Sequence, residues 1–470
     1  MIWFFSVVLA AIFVFASLPF VKLYQLKGYD LNKFFSNIFA VKLSLSGKNF
    51  IAFTKRLIRF LIVLFLVEFF IWVIILANIH TFWLVFLDFL INLLIIPLFI
   101  GFVHILLLPI ECLIKKYYLK KTIKKLKNFK GIKIAITGSF GKTSTKNILT
   151  KMLATKFKVV ATPKNFNTPM GLCKTVLESL KSDTQILIVE MGARHRGDIK
   201  ELCDMVCPDI AILTSVGEQH IETFGSLEIV KKTKFELCES LTKDKKCYFD
   251  CYNENTRELF DKATCKKVGL GKDVYVEVMF ADGEGVNFAI SENEKKTIFK
   301  TKLLGKFMAR NIGLCFLVAK DLGVKEQDIK SVVKSLKPSP HRLELISRGD
   351  LKIIDDAYNS NFDGFCEAIM VASSFKGEKV LVTPGMVELG ERQYELNFKI
   401  GKIVATVFDK VIIMNKTNKI ALKNGILSEK FDKNNMFFAD SRKEMNEIIK
   451  KEVSHKAVIL FENDLPDDYV

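Results

Sequence analysis

The chain opens on three long apolar stretches, Ile2 to Phe20, Leu57 to Ile79 and Phe82 to about Ile110, separated by polar or basic segments. Each is near or above the ~20 residues a helix needs to cross the hydrocarbon core of a bilayer. The third is long for one span and carries Asp88, Asn92, Pro97 and Pro109, which favour a tilt, a kink or an early end. The first lacks the basic n-region of a secretory signal and is followed by further spans, so about three retained transmembrane helices are expected over 1–113. A lysine-rich run, "KKYYLKKTIKKLKNFKG", follows; it reads as a helical linker over 114–131, its lysines at a lipid surface or solvated. From Ile132 the pattern changes. Short β-rich runs ("IKIAIT", "ILIVEM", "DIAILT") alternate with amphipathic helical stretches, the signature of a parallel α/β sheet. A second such series begins near Leu343 with "LKIIDDA", continues through "KVLVTPG" and "KVIIMN" and ends at "AVILFE". The proline-marked "KPSPHR" between them is a hinge, which divides the remainder into domains over 132–340 and 341–470.

Charge sharpens this layout. Of the net +18, most lies before the α/β part: up to Lys133 there are 17 Lys+Arg against 4 Asp+Glu. Seven of these cations fall between Lys22 and Arg56 and nine between Lys115 and Lys133, so both segments are expected on the cytoplasmic side, facing anionic lipid. Three spans then put the N-terminus and the short "NIHT" turn outside, and the α/β body in the cytoplasm of a bacterial inner membrane. Nucleic acid is disfavoured as a partner, because the lysines flank membrane-length segments rather than a recognisable nucleic-acid module. The ten cysteines form no CxxC pair, which suits a reducing compartment.

The residues that carry chemistry begin at "ITGSFGKTSTK", Ile136 to Lys146. It lies between a strand and a helix, as a phosphate cradle does, but Ile136 stands where the usual phosphate loop has its first glycine. Gly138, Ser139, Gly141 and Ser144 would turn backbone amides and a helix N-terminus toward an anion, Lys142 would add charge, and the Thr143 hydroxyl would reach Mg²⁺. Glu190 ends the apolar run "ILIVEMG", where open α/β sheets collect ligands, and is placed to hold Mg²⁺. His220 follows the strand "DIAILT" on the same sheet edge. Lys234, in "VKKTKFEL", reads by local chemistry as a solvated helix-face charge.

Together with "NFNTPMG", "EMGARHRGDIKEL", "PDIAILTSVGEQHIETFGSLE", "KTKFE", "GKFMARN", "PHRLE", "DDAYNSN" and "MVELG", the short loop "TGSFGKTST" resembles the Mur ligase family, from about Ile132 to beyond Lys402 and in family order. The resemblance is strongest to the branch that adds D-Ala-D-Ala. It implies a fold with a central P-loop-type parallel-sheet ATPase domain and a C-terminal Rossmann-like α/β domain, here behind transmembrane helices. The implied activity is amide formation: a carboxylate takes the γ-phosphoryl group of ATP, and an amine displaces phosphate from the acyl phosphate. Lys142, Lys234 and His220 would be catalytic. Thr143, Glu190, His220 and Lys234 would serve two Mg²⁺ ions, Lys234 as a carbamate formed with CO₂. Asn311, Arg342 and Asp356 would hold the nucleotide. Asn165, Asn167, Tyr358, Asn359 and Asn361 would face the substrates, a UDP-MurNAc-tripeptide or its lipid-linked equivalent and D-Ala-D-Ala.

The match has gaps. Membrane-length segments stand where the family usually has a soluble domain that grips the uridine nucleotide. "TPGMVELG" lacks the aspartate of the family's "GDM", and "NFNT" has Thr168 where asparagine is common. An ATP-driven transporter, the rival class, predicts a full-length phosphate loop and repeated pore helices, neither of which this sequence has.

Overall fold

The computed structural model describes residues 1–38, 51–79, 81–163, 166–219, 221–358 and 360–464. They form two compact units that meet in sequence at Tyr117/Tyr118.

The first unit contains α1 (Ile2–Leu26), α2 (Leu31–Ser36), α3 (Lys55–Asn78), α4 (Phe82–Leu94) and the first part of α5 (Ile96–Asn128). Among the described residues three helices, α1, α3 and α5, are long and apolar enough to cross a membrane. The third apolar stretch is therefore not one helix from Phe82 but a short helix and a long one. Pro97 lies in the first turn of α5, where a missing N–H is tolerated; inside a continuous helix it would remove a backbone bond. Aromatic and aliphatic side chains such as Phe4, Phe70 and Leu98 point outward, at 69%, 56% and 62% exposure. That inverts the rule for a water-soluble bundle and fits a surface solvated by lipid.

In the second unit the basic stretch is helical, as its sequence suggests. Its lysines 120, 121, 124 and 127 face out, while Leu126 and Thr122 are buried and Leu119, Ile123 and Phe129 pack on the core of the central sheet. That sheet is parallel, with β1 (Ile132–Thr137), β2 (Val159–Ala161), β3 (Ile186–Glu190), β4 (Ile210–Leu213), β5 (Lys246–Asp250) and β6 (Lys266–Leu270) in the order β2-β3-β1-β4-β5-β6. Helices α6 (Lys142–Leu153), α7 (Pro169–Ser179), α8 (Asp198–Val206), α9 (Ile221–Phe224), α10 (Leu227–Glu239) and α11 (Glu254–Lys262) accompany it. All five residues of β3 are buried, which is why it reads as an unbroken apolar run. The sheet starts at β1 in its middle; the chain next forms the edge strand β2, comes back to β3 between β2 and β1, and then crosses to β4 on the other side of β1, so the ends of β1, β3 and β4 surround a crevice where connections diverge.

A three-stranded antiparallel sheet, β7 (Tyr275–Asp282), β8 (Gly285–Glu292) and β9 (Lys295–Thr301), then precedes α12 (Phe307–Asp321) and α13 (Glu326–Ser335). The C-terminal sheet has the order β10-β11-β15-β12-β13-β14, made of β10 (Glu344–Arg348), β11 (Leu351–Asp356), β12 (Lys379–Thr383), β13 (Lys410–Met414), β14 (Met436–Ala439) and β15 (Val458–Glu462). Only β10 runs antiparallel; the other pairings are parallel, so the domain is the expected Rossmann-like α/β layer.

Candidate active site

The loop leaving β1 is fixed by its neighbours before it meets a ligand. Ser139 N donates to Ser215 O at 2.9 Å, and the Ser139 hydroxyl exchanges bonds with the Gly217 backbone, donating to its O at 2.9 Å and accepting from its N at 3.0 Å. The Thr214 hydroxyl donates to Phe140 O at 2.6 Å. Gly138 and Gly141 have φ of 148° and 82°, open to glycine, and a Cβ on Gly138 would stand 2.0 Å from Thr214 Oγ1. These two glycines make the turn, so the absent glycine at Ile136 costs the cradle nothing: Ile136 is a buried residue of β1 itself. Lys142 Nζ donates to Gly138 O and Ser139 O, both at 2.7 Å.

Glu190, buried at the end of β3, accepts the Thr143 hydroxyl at 3.1 Å and 3.0 Å on its two oxygens and pairs with Lys146 Nζ at 3.0 Å. A buried carboxylate beside a hydroxyl is the hard-oxygen donor set that suits Mg²⁺. Among the described residues no three His, Cys, Asp or Glu side chains converge as a metal cage. Thr143 and Glu190 are the described side chains that would hold Mg²⁺ there.

Lys234 departs from the local reading. It is buried on α10, 3% exposed, and no hydrogen bond or ion pair joins its amine to another described residue. Burial, helped by the nearby Lys142 charge and opposed by Asp198 and Glu236, pushes it down to about 7. Lys142 is lowered to about 8, by burial first, against the attraction of Glu190. A lysine near 7 is half neutral at neutral pH, hence nucleophilic.

Two cavities meet at the phosphate loop. One, of about 470 Å³, gathers Lys142, Thr143, Glu190, Lys234, Arg194 and Asp198. The other, of about 460 Å³, is lined by Asp250, Tyr252, Arg310, Asn311, Asp356 and Glu462 among others. Phe140, Gly141, Ser144, Arg342 and Asn361 border both. In the second, the Arg310 guanidinium lies 4.8 Å from the Tyr252 ring centroid, and the Ser215 hydroxyl donates to buried Asp250 at 2.5 Å. The C-terminal domain supplies Arg342, stacked 4.2 Å over Tyr358, and Asp356, whose Oδ1 accepts Leu343 N at 3.1 Å. Asp356 is paired in register with Glu462; burial pushes Asp356 up to about 6, against Arg342, and raises Glu462 well above its ordinary range. Arg392 reaches back to Glu218 of the central domain.

Most of the residues singled out from the sequence converge here. Gly141 and Asn311 are in contact range, since a Cβ at Gly141 would lie 2.8 Å from Asn311 Oδ1. Asn167, Tyr358 and Asn361 line the first cavity, Asn361 also capping α14 (Phe362–Ser373) through Gly364 N at 2.9 Å. His220, Asn165 and Asn359 lie outside the described residues. Lys146, Asp250, Arg310 and Glu462 were not anticipated. Lys146 sits one turn beyond Lys142, and Glu462 ends the last apolar run "AVILFE" as Glu190 ends "ILIVEM"; that parallel is the signal the sequence offered for it.

One cavity that concentrates buried amines and a carboxylate around a phosphate loop, beside a second cavity sized for a nucleoside, belongs to the nucleotide-dependent group-transfer enzymes. Within that class the chain belongs to the Mur ligase family: residues 136–319 match the Mur ligase middle domain and 341–462 the Mur ligase, glutamate ligase domain. The UDP-N-acetylmuramoyl-tripeptide--D-alanyl-D-alanine ligase of Bacillus subtilis is 29% identical over 334 residues, 70% of this chain and 72% of that one. Its Mycobacterium bovis counterpart is 27% identical over 311 residues, 63% of this chain, which covers only 61% of that relative's length. The crystal structure of MurF ligase from Thermotoga maritima in complex with ADP superposes with a TM-score of 0.67 at 27% identity, over 74% of this chain and 80% of that one. Residues 1–135 lie outside both family domains.

Proposed function

We propose that the protein is a membrane-anchored ATP-dependent ligase that joins D-Ala-D-Ala to the terminal carboxylate of a muramyl tripeptide, in the assembly of peptidoglycan precursors. The observation that carries this reading is the convergence of Lys142, Thr143, Glu190 and Lys234 on one cavity, with Arg342 and Asp356 of the C-terminal domain beside it. The names of the relatives supply the substrates.

In this reading the loop amides and Lys142 hold the β- and γ-phosphates, and Lys142 leaves its carbonyl partners Gly138 and Ser139 to do so. The second cavity takes the nucleoside, with Tyr252 and Asn311 toward the base and the carboxyl of Asp356 toward the sugar. Mg²⁺, when bound, would neutralise phosphate charge and polarise the transferred group. Thr143 and Glu190 would hold one ion. Lys234, its amine half neutral, would add to CO₂ and become a carbamate, its nitrogen losing one proton to solvent as the N–C bond forms, which would give the site a second carboxylate for a second ion. The substrate carboxylate and then the dipeptide amine enter through the side lined by Asn167, Arg194 and Tyr358. Closure of the C-terminal domain excludes water from the acyl phosphate.

The anchor motivates a second reading for the acceptor. Three helices of membrane length precede the ligase domains, so the muramyl tripeptide is either UDP-linked or already lipid-linked at the cytoplasmic face of the inner membrane. Full-length protein in detergent, given ATP, Mg²⁺, D-Ala-D-Ala and each acceptor in turn, tests both. ADP release that requires both acceptor and dipeptide, with the amide product identified by mass spectrometry, is expected; release indifferent to the dipeptide refutes the assignment.

A further inference from the structure

The membrane-length unit carries a polar cleft that the ligase chemistry does not use. At the basic end of the helices, the Gln25 side chain donates to Ala52 O at 2.7 Å and accepts from Ala52 N at 2.9 Å. This pins the end of α1 to the residues just before α3, so Tyr24 and Arg56 share one level. Tyr24, almost fully buried, hydrogen-bonds Nδ1 of His104 on α5. With the hydroxyl donating, the ring's hydrogen sits on Nε2 and remains available as a donor. Arg59 binds Glu111 through Nε at 2.9 Å and Nη2 at 2.7 Å, so that carboxylate is already neutralised. Arg56 differs: its guanidinium lies 4.1 Å over the Tyr29 ring, and no carboxylate among the described residues pairs with it. Tyr24, Arg56, His104 and Glu111 line the cleft together with Phe60, Leu107 and Leu108.

We infer that this cleft is a binding site for the phosphate headgroup of a membrane lipid, with Arg56 and His104 on the phosphate and the exposed Leu108 beside the first part of the chain. The inference rests on the reading of α1, α3 and α5 as membrane spans. A half-buried guanidinium without a counter-ion is an anion site in waiting, and arginine's planar donor fork matches phosphate oxygens. At the cytoplasmic interface, where the lysine distribution puts this end of the unit, the anions at that depth are lipid phosphates. Size narrows the class further. The recess has a volume of only about 10 Å³, room for about one water. It therefore takes a single phosphate oxygen, and the rest of the headgroup, with any sugar or nucleobase attached beyond it, stays outside. Both a bulk anionic phospholipid and a polyprenyl-phosphate carrier present that chemistry.

The test is native mass spectrometry of the full chain in a non-ionic detergent, titrated separately with phosphatidylglycerol, a polyprenyl monophosphate, phosphate-free dioleoylglycerol and inorganic phosphate. Wild-type protein is expected to retain either phospholipid or polyprenyl phosphate at least tenfold more tightly than dioleoylglycerol. Arg56→Gln and His104→Gln should each lose most of that preference, Arg56→Lys should keep part of it, and the exposed Lys33→Gln outside the cleft should keep all of it. Preference for the polyprenyl phosphate identifies the carrier lipid as the occupant; equal retention identifies bulk anionic lipid. Unchanged retention in Arg56→Gln, or displacement of lipid by millimolar inorganic phosphate, overturns the inference. Ligation measured on the same preparations separates the two readings: inactive protein that still binds lipid phosphate through Arg56 refutes the ligase and leaves the cleft, whereas active protein with no such preference does the reverse.

Discussion

Replacing Lys234 by methionine removes a charge from a place where the fold holds it at a cost. The side chains are similar in length, so packing on α10 is largely kept. In the wild type the amine sits at about 7 against an ordinary 10.5. Because the native pKa is lowered, the unfolded chain binds the extra proton between about pH 7 and pH 10.5, and native stability rises with pH across that window. Below pH 7 both states are protonated and the full penalty applies. At about 1.4 kcal/mol per unit this is on the order of 4 to 5 kcal/mol, a ceiling that water penetration and relaxation reduce. Lys234→Met should therefore be more stable than wild type by about 1–4 kcal/mol at pH 6, with the gain shrinking as pH rises toward 10. Denaturant unfolding of the full chain in CO₂-free buffer without nucleotide or Mg²⁺, compared at pH 6 and pH 9, measures it.

The same substitution should abolish ligation, since a transition-state charge contact is typically worth a factor of about 10²–10³ in rate. A ¹³C-bicarbonate NMR signal, present in wild type and missing in the variant, would report the carbamate directly. In Lys234→Ala a short-chain carboxylate such as propionate should restore part of the rate. A variant no more stable at pH 6 than the wild type, or one that is more stable by the same amount at both pH values, refutes the buried-charge account. Full activity in Lys234→Ala refutes the carbamate.

Gly138→Ala should reduce ATP affinity by more than tenfold, read by nucleotide titration, because its Cβ would meet Thr214 Oγ1 at 2.0 Å in a backbone conformation with φ 148°. Asp356→Asn preserves the acceptor for Leu343 N and removes the group held at about 6. The KM for ATP in the wild type should therefore change between about pH 5 and pH 7, and that limb of the profile should be flattened in the variant; an unaltered profile excludes Asp356 as its source.

Much of this architecture was readable from periodicity. The parallel strands of both α/β sheets are short, apolar and bounded by turn residues, and Thr137, Glu190 and Asp356 stand at the ends of such runs, where ligands gather. The antiparallel β7–β9 escaped because one of its faces is open: Tyr275, Met279 and Phe280 are exposed, and lysines and glutamates interrupt any apolar run. The third membrane-length stretch is expected to tilt, kink or end early, and it breaks at Ile95: hydropathy continues there while the helix does not, and Pro97 marks the join. Lys234 was legible only through resemblance. Its helix has lysines at positions 231, 232 and 234, and local pattern does not distinguish the one turned inward toward the phosphate loop from a solvated neighbour.

Burial perturbs charged groups on both faces of the cleft, Lys142 and Lys234 from the central domain, Asp356 and Glu462 from the C-terminal one. Folding alone gives no reason to bury two amines near each other or two carboxyls in register on adjacent strands; each lowers stability relative to apolar residues of the same shape. A phosphate chain laid between them changes the sign. In the proposed reading the amines would gain a polyanion and the carboxyl side would gain hydroxyl donors from a ribose, so each half of the cleft would be relieved only when nucleotide occupies both. Ligand binding and domain closure are then one event energetically. On that reading the stability withheld from the site would become affinity for ATP, and the Arg392 to Glu218 ion pair would lie where closure joins the two domains.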